Sequence, residues 1–173
     1  MKIRPARLED CETIARVHVD SWRTAYRGLV PDEVLDGLSV ADRARARREQ
    51  FVRNGASQSS LVAEDPASGI VGFSIAGPAR SGPERYDGEL YAIYLLASVR
   101  RRGLGRRLFA ESVAALRAFG HRAMLVWVFE GNPPARAFYE RMGGRLLPDK
   151  KFLEIGTALL PVVAYGWDEL PAP

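Results

Sequence analysis

The residues best suited to chemistry lie between Glu89 and Arg107. An apolar, strand-like segment there runs into Arg100-Arg101-Arg102-Gly103-Leu104-Gly105-Arg106 and then into an amphipathic helix. Backbone N–H groups at the start of a helix have no partner within it, and the helix dipole favours negative charge there. Glycines in the turn let a ligand come close to the backbone. Arg100, Arg101, Arg102, Arg106 and Arg107 add full positive charges. Strand, glycine-containing turn and helix N-terminus, in this order, predict a cradle for a phosphorylated ligand. The third glycine of a dinucleotide-binding turn is missing, position 108 being Leu, and the sequence has no glycine-rich phosphate loop ending in lysine.

A second stretch, Val126 to Arg145, carries Asn132-Pro133-Pro134, then Phe138-Tyr139, then Gly143. Asn132 is a good helix N-cap, two prolines fit a first helical turn, and Gly143 fits a helix end. Together, Arg100-x-x-Gly103-x-Gly105 and an Asn132 followed seven residues on by Tyr139 resemble motifs A and B of the GNAT superfamily, the acetyl-CoA-dependent N-acetyltransferases. With the N-terminal segment, the resemblance covers most of the chain.

The resemblance implies an α/β fold: a mixed, mostly antiparallel central sheet flanked by helices and splayed between its fourth and fifth strands. The splay would take the pantetheine arm of acetyl-CoA against the backbone of Ile93, Tyr94 and Leu95. The pyrophosphate would meet N–H groups from Arg101 to Arg106, through Arg102, Gly103, Leu104 and Gly105, with Arg100 opening the motif. Asn132 would touch the cosubstrate from the other arm of the slot. The family often has Pro where this chain has Ala97, a departure that bears on the strand end rather than on the cosubstrate. Tyr139 matches the family's general acid. Glu89, eleven residues before Arg100, sits where histone-type members keep a glutamate as general base. Ribosomal-protein N-terminal acetyltransferases use a different glutamate, five residues before the Asn, and here that position is Trp127.

The implied chemistry makes demands of its own. An alkyl amine with a pKa near 10.4 is only about one part in 10³ neutral at pH 7. A site that acetylates it needs a base, directly or through water, an acid for the departing thiolate, and donors for the oxyanion. Trp22 and Tyr26 lie four residues apart on one helical face and could wall an amine site, although filling the core is an equally good use for them. His18 shares that face and reads as a structural hydrogen-bonder. Acidic residues facing an acceptor would favour a polycation, and Glu12, Asp20, Asp32, Glu33 and Asp36 are candidates of unknown orientation.

The elements that must position these groups follow from pattern. Lys2–Arg4 reads as a strand, and Asp10 as the cap of a helix carrying Ile14, Val17, Trp22 and Ala25. Two further helices run over 32–38 and 40–53. Strands at 60–64 and 69–76 form a hairpin, and a polar loop over 77–88 is placed to line a substrate mouth. A strand at 89–96 leads to a helix with Leu104, Leu108, Ser112, Leu116 and Phe119 on one face. A strand at 123–129, a helix at 133–142, and two strands starting near Arg145 and Ala158 complete the order.

With 173 residues, 47% of them apolar and 27% charged, one domain over 1–173 is expected. The net charge of +4 reads as scattered surface charge rather than a nucleic-acid face. Two histidines and one cysteine make no metal-ligand cluster, and Cys11 reads as a small apolar residue. There is no signal peptide or membrane-length apolar stretch. The expectation is a cytoplasmic acetyl-CoA-dependent N-acetyltransferase without a metal, acting on an amine of a small molecule or peptide, with a homodimer as a fair guess. A non-catalytic acyl-CoA sensor is the alternative.

Overall fold

Seven strands form one sheet in the order β1-β2-β3-β4-β5-β7-β6 in the computed structural model, which describes residues 1–55 and 57–172. Along the chain these are β1 (Lys2–Pro5), α1 (Cys11–Ala25), α2 (Asp32–Asp36), α3 (Val40–Asn54), β2 (Ser59–Asp65), β3 (Gly69–Pro78), β4 (Gly88–Leu95), α4 (Leu104–Ala118), β5 (Met124–Phe129), α5 (Pro133–Arg141), β6 (Arg145–Ile155) and β7 (Ala158–Trp167). Neighbouring strands are antiparallel except β4 and β5, which are parallel. The expected mixed, mostly antiparallel α/β fold is therefore found.

The β4–β5 pairing is brief. Only Gly88↔Met124 and Glu89↔Leu125 are in register, after which the strands part. A parallel pair normally continues its ladder for the length of the shorter strand, so this is the expected splay. It leaves two half-sheets, β1 to β4 and β5-β7-β6. Backbone groups of β4 beyond Glu89 that point toward β5 have no strand partner.

A β-bulge sits where the strands begin to part. Ala76 pairs with Leu90 and Ile75 with Ala92, leaving Tyr91 as an extra residue. A bulge bends its strand and shifts the alternation of side chains by one. Accordingly Leu90 and Ile93 pack with α4 and α5, whereas Ala92 and Tyr94 pack on the opposite face against Ile14, Val17 and Phe73. Without the extra residue, 90 and 92 would share a face.

The helices cover both faces. α1, with α2 and α3 beside it, lies on one face, and α4 and α5 lie on the other. The buried stripe of α4 is Leu104, Leu108, Phe109, Ser112, Val113 and Leu116. Phe119, expected on that stripe, is 46% exposed. It is the C-cap, beyond the last regular turn, and Phe109 and Val113 widen the apolar face instead.

Asp10 also departs from expectation. A short 3-10 turn, Leu8–Asp10, precedes α1, and Asp10 caps nothing in the helix with its side chain. Its carboxylate accepts the Arg7 N–H at 2.7 Å and both terminal nitrogens of Arg4, at 2.7 and 3.1 Å. The Arg4 hydrogen bond holds the Asp10 carboxyl below the usual range, against the opposing effect of burial. No helix among the described residues is long and apolar enough to cross a membrane.

Candidate active site

The parted strands enclose a cavity of about 1330 Å³ that reaches both faces of the sheet. Drug-sized ligands occupy roughly 300–1,000 Å³, so this space has room for two reactants. Of the residues singled out in the sequence, Trp22, Tyr26, Glu89, Ile93, Tyr94, Leu95, Arg100, Arg101, Gly103, Gly105, Arg106, Asn132 and Tyr139 line it. Two do not. Arg102 points into solvent, and the Leu104 side chain is buried beside Val71 and Val99, so each can offer a ligand only its backbone.

On the α4 face the cavity meets the arginine turn. Arg101 and Gly103 both have positive φ, 60° and 75°. Gly103 is the N-cap of α4 and has no side chain with which to cap it. The first N–H to find a helical carbonyl is that of Arg107, bonded to Gly103 at 3.1 Å. The N–H groups of Leu104, Gly105 and Arg106 therefore lack intrahelical partners, as first-turn donors do. Arg100 itself is turned back: its Nε donates to the Leu95 carbonyl at 3.1 Å, tying the end of β4 to the turn. Across the slot, Asn132 caps α5 by accepting the Ala135 N–H at 3.3 Å, and Pro133 and Pro134 open the helix.

That helix delivers Tyr139, 7% exposed, to the cavity wall. Its hydroxyl has no hydrogen-bond partner among the described residues, and burial, followed by the nearby Tyr94 hydroxyl, pushes its pKa up. Opposite lie three aromatic side chains. The Trp22 indole donates to the Tyr94 hydroxyl at 3.1 Å, and the Tyr26 and Tyr94 hydroxyls are 3.2 Å apart. Trp22 and Tyr26 also pack edge-on to Phe129. They fill the core and line the cavity at once.

His18 does not hydrogen-bond as expected. It stacks on Phe73 and Tyr94, its Nε2 is buried without a partner, and burial, aided by Arg43 and Arg47, draws its pKa down to about 3.

On the α1 face, Glu89 is 2% exposed rather than solvated. Its carboxylate accepts the Arg80 backbone N–H at 2.9 Å and the Arg80 guanidinium at 2.7 Å. The loop carrying Arg80 is tied at two further points: the Trp127 indole donates to the Ser81 carbonyl at 3.3 Å, and Lys151 Nζ donates to Ser81 Oγ at 2.8 Å. Lys151 also lies 4.0 Å from the centre of the Trp127 ring. Burial draws the Lys151 pKa down, with Glu89 opposing the shift and Arg80 adding to it.

Arg80 and Lys151 were not visible as site residues in the sequence. The polar 77–88 stretch was the one signal for Arg80. Nothing marked Lys151, which comes from the strand furthest along the sheet. The acidic residues of the N-terminal region stay outside the cavity: Asp32 and Asp36 pair with Arg27, and Glu12 with Arg16.

Comparison with known proteins places relatives beside this geometry. Residues 14–144 match the acetyltransferase (GNAT) family. The chain is 39% identical over 170 residues to the uncharacterized N-acetyltransferase YuaI of Bacillus subtilis, covering 98% of this chain and 94% of that protein. It is 32% identical over 126 residues to a mycothiol acetyltransferase of Salinispora tropica, covering 72% of this chain but 40% of that protein. In fold it is similar to the PaiA N-acetyltransferase of Thermoplasma acidophilum in complex with coenzyme A, with a TM-score of 0.73, 19% identity, and 96% and 98% of the two chains covered. The ribosomal-protein-alanine N-acetyltransferase of Brucella melitensis gives a TM-score of 0.73 at 21% identity, covering 96% and 99%.

Proposed function

The chain belongs to the acetyltransferase (GNAT) family, and from that premise we propose that it moves an acetyl group from acetyl-CoA to a primary amine of a small molecule or peptide, both bound at once. One observation carries this reading: a cavity through the sheet with an anion cradle on one face, a buried carboxylate on the other, and the Tyr139 hydroxyl between.

Acetyl-CoA supplies an activated acetyl thioester; the rest falls to residues of this chain. The free N–H groups of Leu104, Gly105 and Arg106, with Arg101 and Arg106 side chains at the rim, bind the pyrophosphate. Each charge-assisted hydrogen bond there contributes on the order of 1.5–3 kcal/mol. Backbone groups of the Ile93 to Leu95 stretch that face the gap, other than the Leu95 carbonyl held by Arg100, orient the pantetheine amides, and Asn132 closes the slot from the α5 side. Glu89, whose carboxylate keeps lone-pair capacity beyond its Arg80 contacts, takes a proton from the incoming ammonium through water. Tyr139 remains a protonated phenol because burial raises its pKa, and its O–H hydrogen-bonds the departing sulfur. The carbon–nitrogen bond forms as the carbon–sulfur bond breaks. Tyr139 gives its phenolic proton to the departing thiolate, and the amine's second proton restores the phenol, so coenzyme A leaves as the thiol.

The test is acetyl-CoA-dependent thiol release over a panel of amines, corrected with an enzyme-only blank for Cys11. Turnover with any amine class supports transfer. Tight acetyl-CoA binding with silence across the panel favours the sensor alternative.

A further inference from the structure

Among the described residues that line the cavity, Arg80, Arg100, Arg101, Arg106, Arg141 and Lys151 are cations, and Glu89 is the one carboxylate. The arginines at 100–106 belong to the phosphate cradle. On the acceptor face this leaves Arg80 and Lys151 against Glu89, and Glu89 is taken by Arg80. Lys151 is thus a cation without a carboxylate within 4.0 Å among the described residues. Its place is well defined: Ser81 Oγ accepts a hydrogen bond from it, the Trp127 ring lies against it, and Arg80, next to Ser81, is locked to Glu89.

Strand register keeps this charge distinct from its neighbour. Lys151 pairs with Val162, on the α1 face, whereas Lys150 pairs with Val163 and bridges Glu130 at 2.7 Å. A lone, partly desolvated ammonium at a site mouth costs free energy unless an anion meets it. A bare ammonium or polycationic acceptor would meet two cations at this mouth against a single carboxylate, Glu89, which Arg80 already pairs.

We infer that the acceptor is an amine that also carries a carboxylate or similar oxyanion, bound by Lys151 with Arg80 beside it, while its amino group reaches toward Glu89 and the slot. The inference rests on the acetyl-transfer reading above and narrows its acceptor.

The experiment pairs α-, β- and γ-amino acids with their own carboxamides, which keep the amine and lose the charge. It measures kcat/KM by thiol release in the unaltered protein and in Lys151→Met, Lys151→Arg and Lys150→Met. The acids are expected to exceed their carboxamides by about tenfold or more, the scale of one charge-assisted hydrogen bond. Lys151→Met should erase that preference mainly through KM, Lys151→Arg should keep most of it, and Lys150→Met should leave it in place. Carboxamides used as well as acids, or a preference that survives Lys151→Met, would overturn the inference while acetyl transfer stands. Loss of kcat in Lys151→Arg would also overturn it, since it would make Lys151 a proton carrier. If no amine turns over, acetyl transfer fails on its own. Calorimetry of N-acetyl amino acids against the CoA-saturated protein then decides the inference: binding weakened by Lys151→Met upholds it, and no binding refutes it.

Discussion

Tyr139 is a phenol facing a cavity with nothing to bond, and that makes its removal informative. Tyr139→Phe deletes one oxygen and little packing, because the ring stays against Phe138, Tyr165 and Trp167. We expect kcat to fall by about a hundredfold, the lower end of the range for a general acid, with acetyl-CoA affinity by calorimetry changed less than about twofold. Affinity lost with chemistry intact would contradict the acid role.

His18 gives a second prediction at this scale. Its folded pKa of about 3 lies well below the unfolded value of 6.5. The unfolded chain therefore binds a proton that the native protein refuses, and stability falls as pH drops below 6.5, continuing until about 3. At pH 5 the loss from this one residue is on the order of 2 kcal/mol. Urea titrations of His18→Phe should show a correspondingly flatter acid limb than the parent; identical slopes would refute it.

Individual residues were unevenly legible. Gly103 and Asn132 cap their own helices, so local turn and capping signals placed them, whereas Tyr139 stood out only through the resemblance to the family's motif. Glu89 could be placed on its strand but not judged buried, because its Arg80 partner arrives from a loop. Lys151 was silent, since its role depends on β6 lying next to β7 and β7 next to β5.

At the scale of elements, the turn before α4 forms the proposed phosphate cradle, and its glycines differ. Gly103 holds φ at 75° with open space where a side chain would project, so conformation rather than room requires glycine. Gly103→Ala should cost about 1–2 kcal/mol in urea unfolding, and weaken acetyl-CoA binding. A Cβ at Gly105 would sit 3.4 Å from Leu95 and 3.6 Å from Phe138, at the edge of ordinary contact, so Gly105→Ala should cost clearly less. Equal costs would show that the turn's conformation is not the constraint.

The order and type of the elements followed from periodicity, whereas the bulge at Tyr91 did not. A bulge is a property of two strands in register, and the run Leu90 to Leu95 is apolar at every position, leaving no alternation in which a slip could be seen. Yet the bulge is what turns Leu90 and Ala92 to opposite faces, just beyond the last β4–β5 pair.

For the whole molecule, the cavity lies between two half-sheets that a bound ligand would span. Any ligand that binds only the native state stabilises it by about 2.7 kcal/mol at a hundred times its Kd. For a domain of this size that is a rise in Tm of roughly 5–10 °C. Calorimetric scans with saturating acetyl-CoA should show it. The same rise with free adenosine, which lacks the pyrophosphate and pantetheine, would argue against the cradle.

The two register pairs joining β4 to β5 have a mechanical meaning as well. Resistance to tearing a sheet grows with the number of rungs in its shortest ladder, and here that ladder is almost vestigial. Pulled between β1 and β6, the molecule should give way first along this seam, with α4 the tether that keeps the halves from drifting apart. A cosubstrate laid into the gap would supply the missing rungs, so the force needed to open the protein should itself report whether acetyl-CoA is bound.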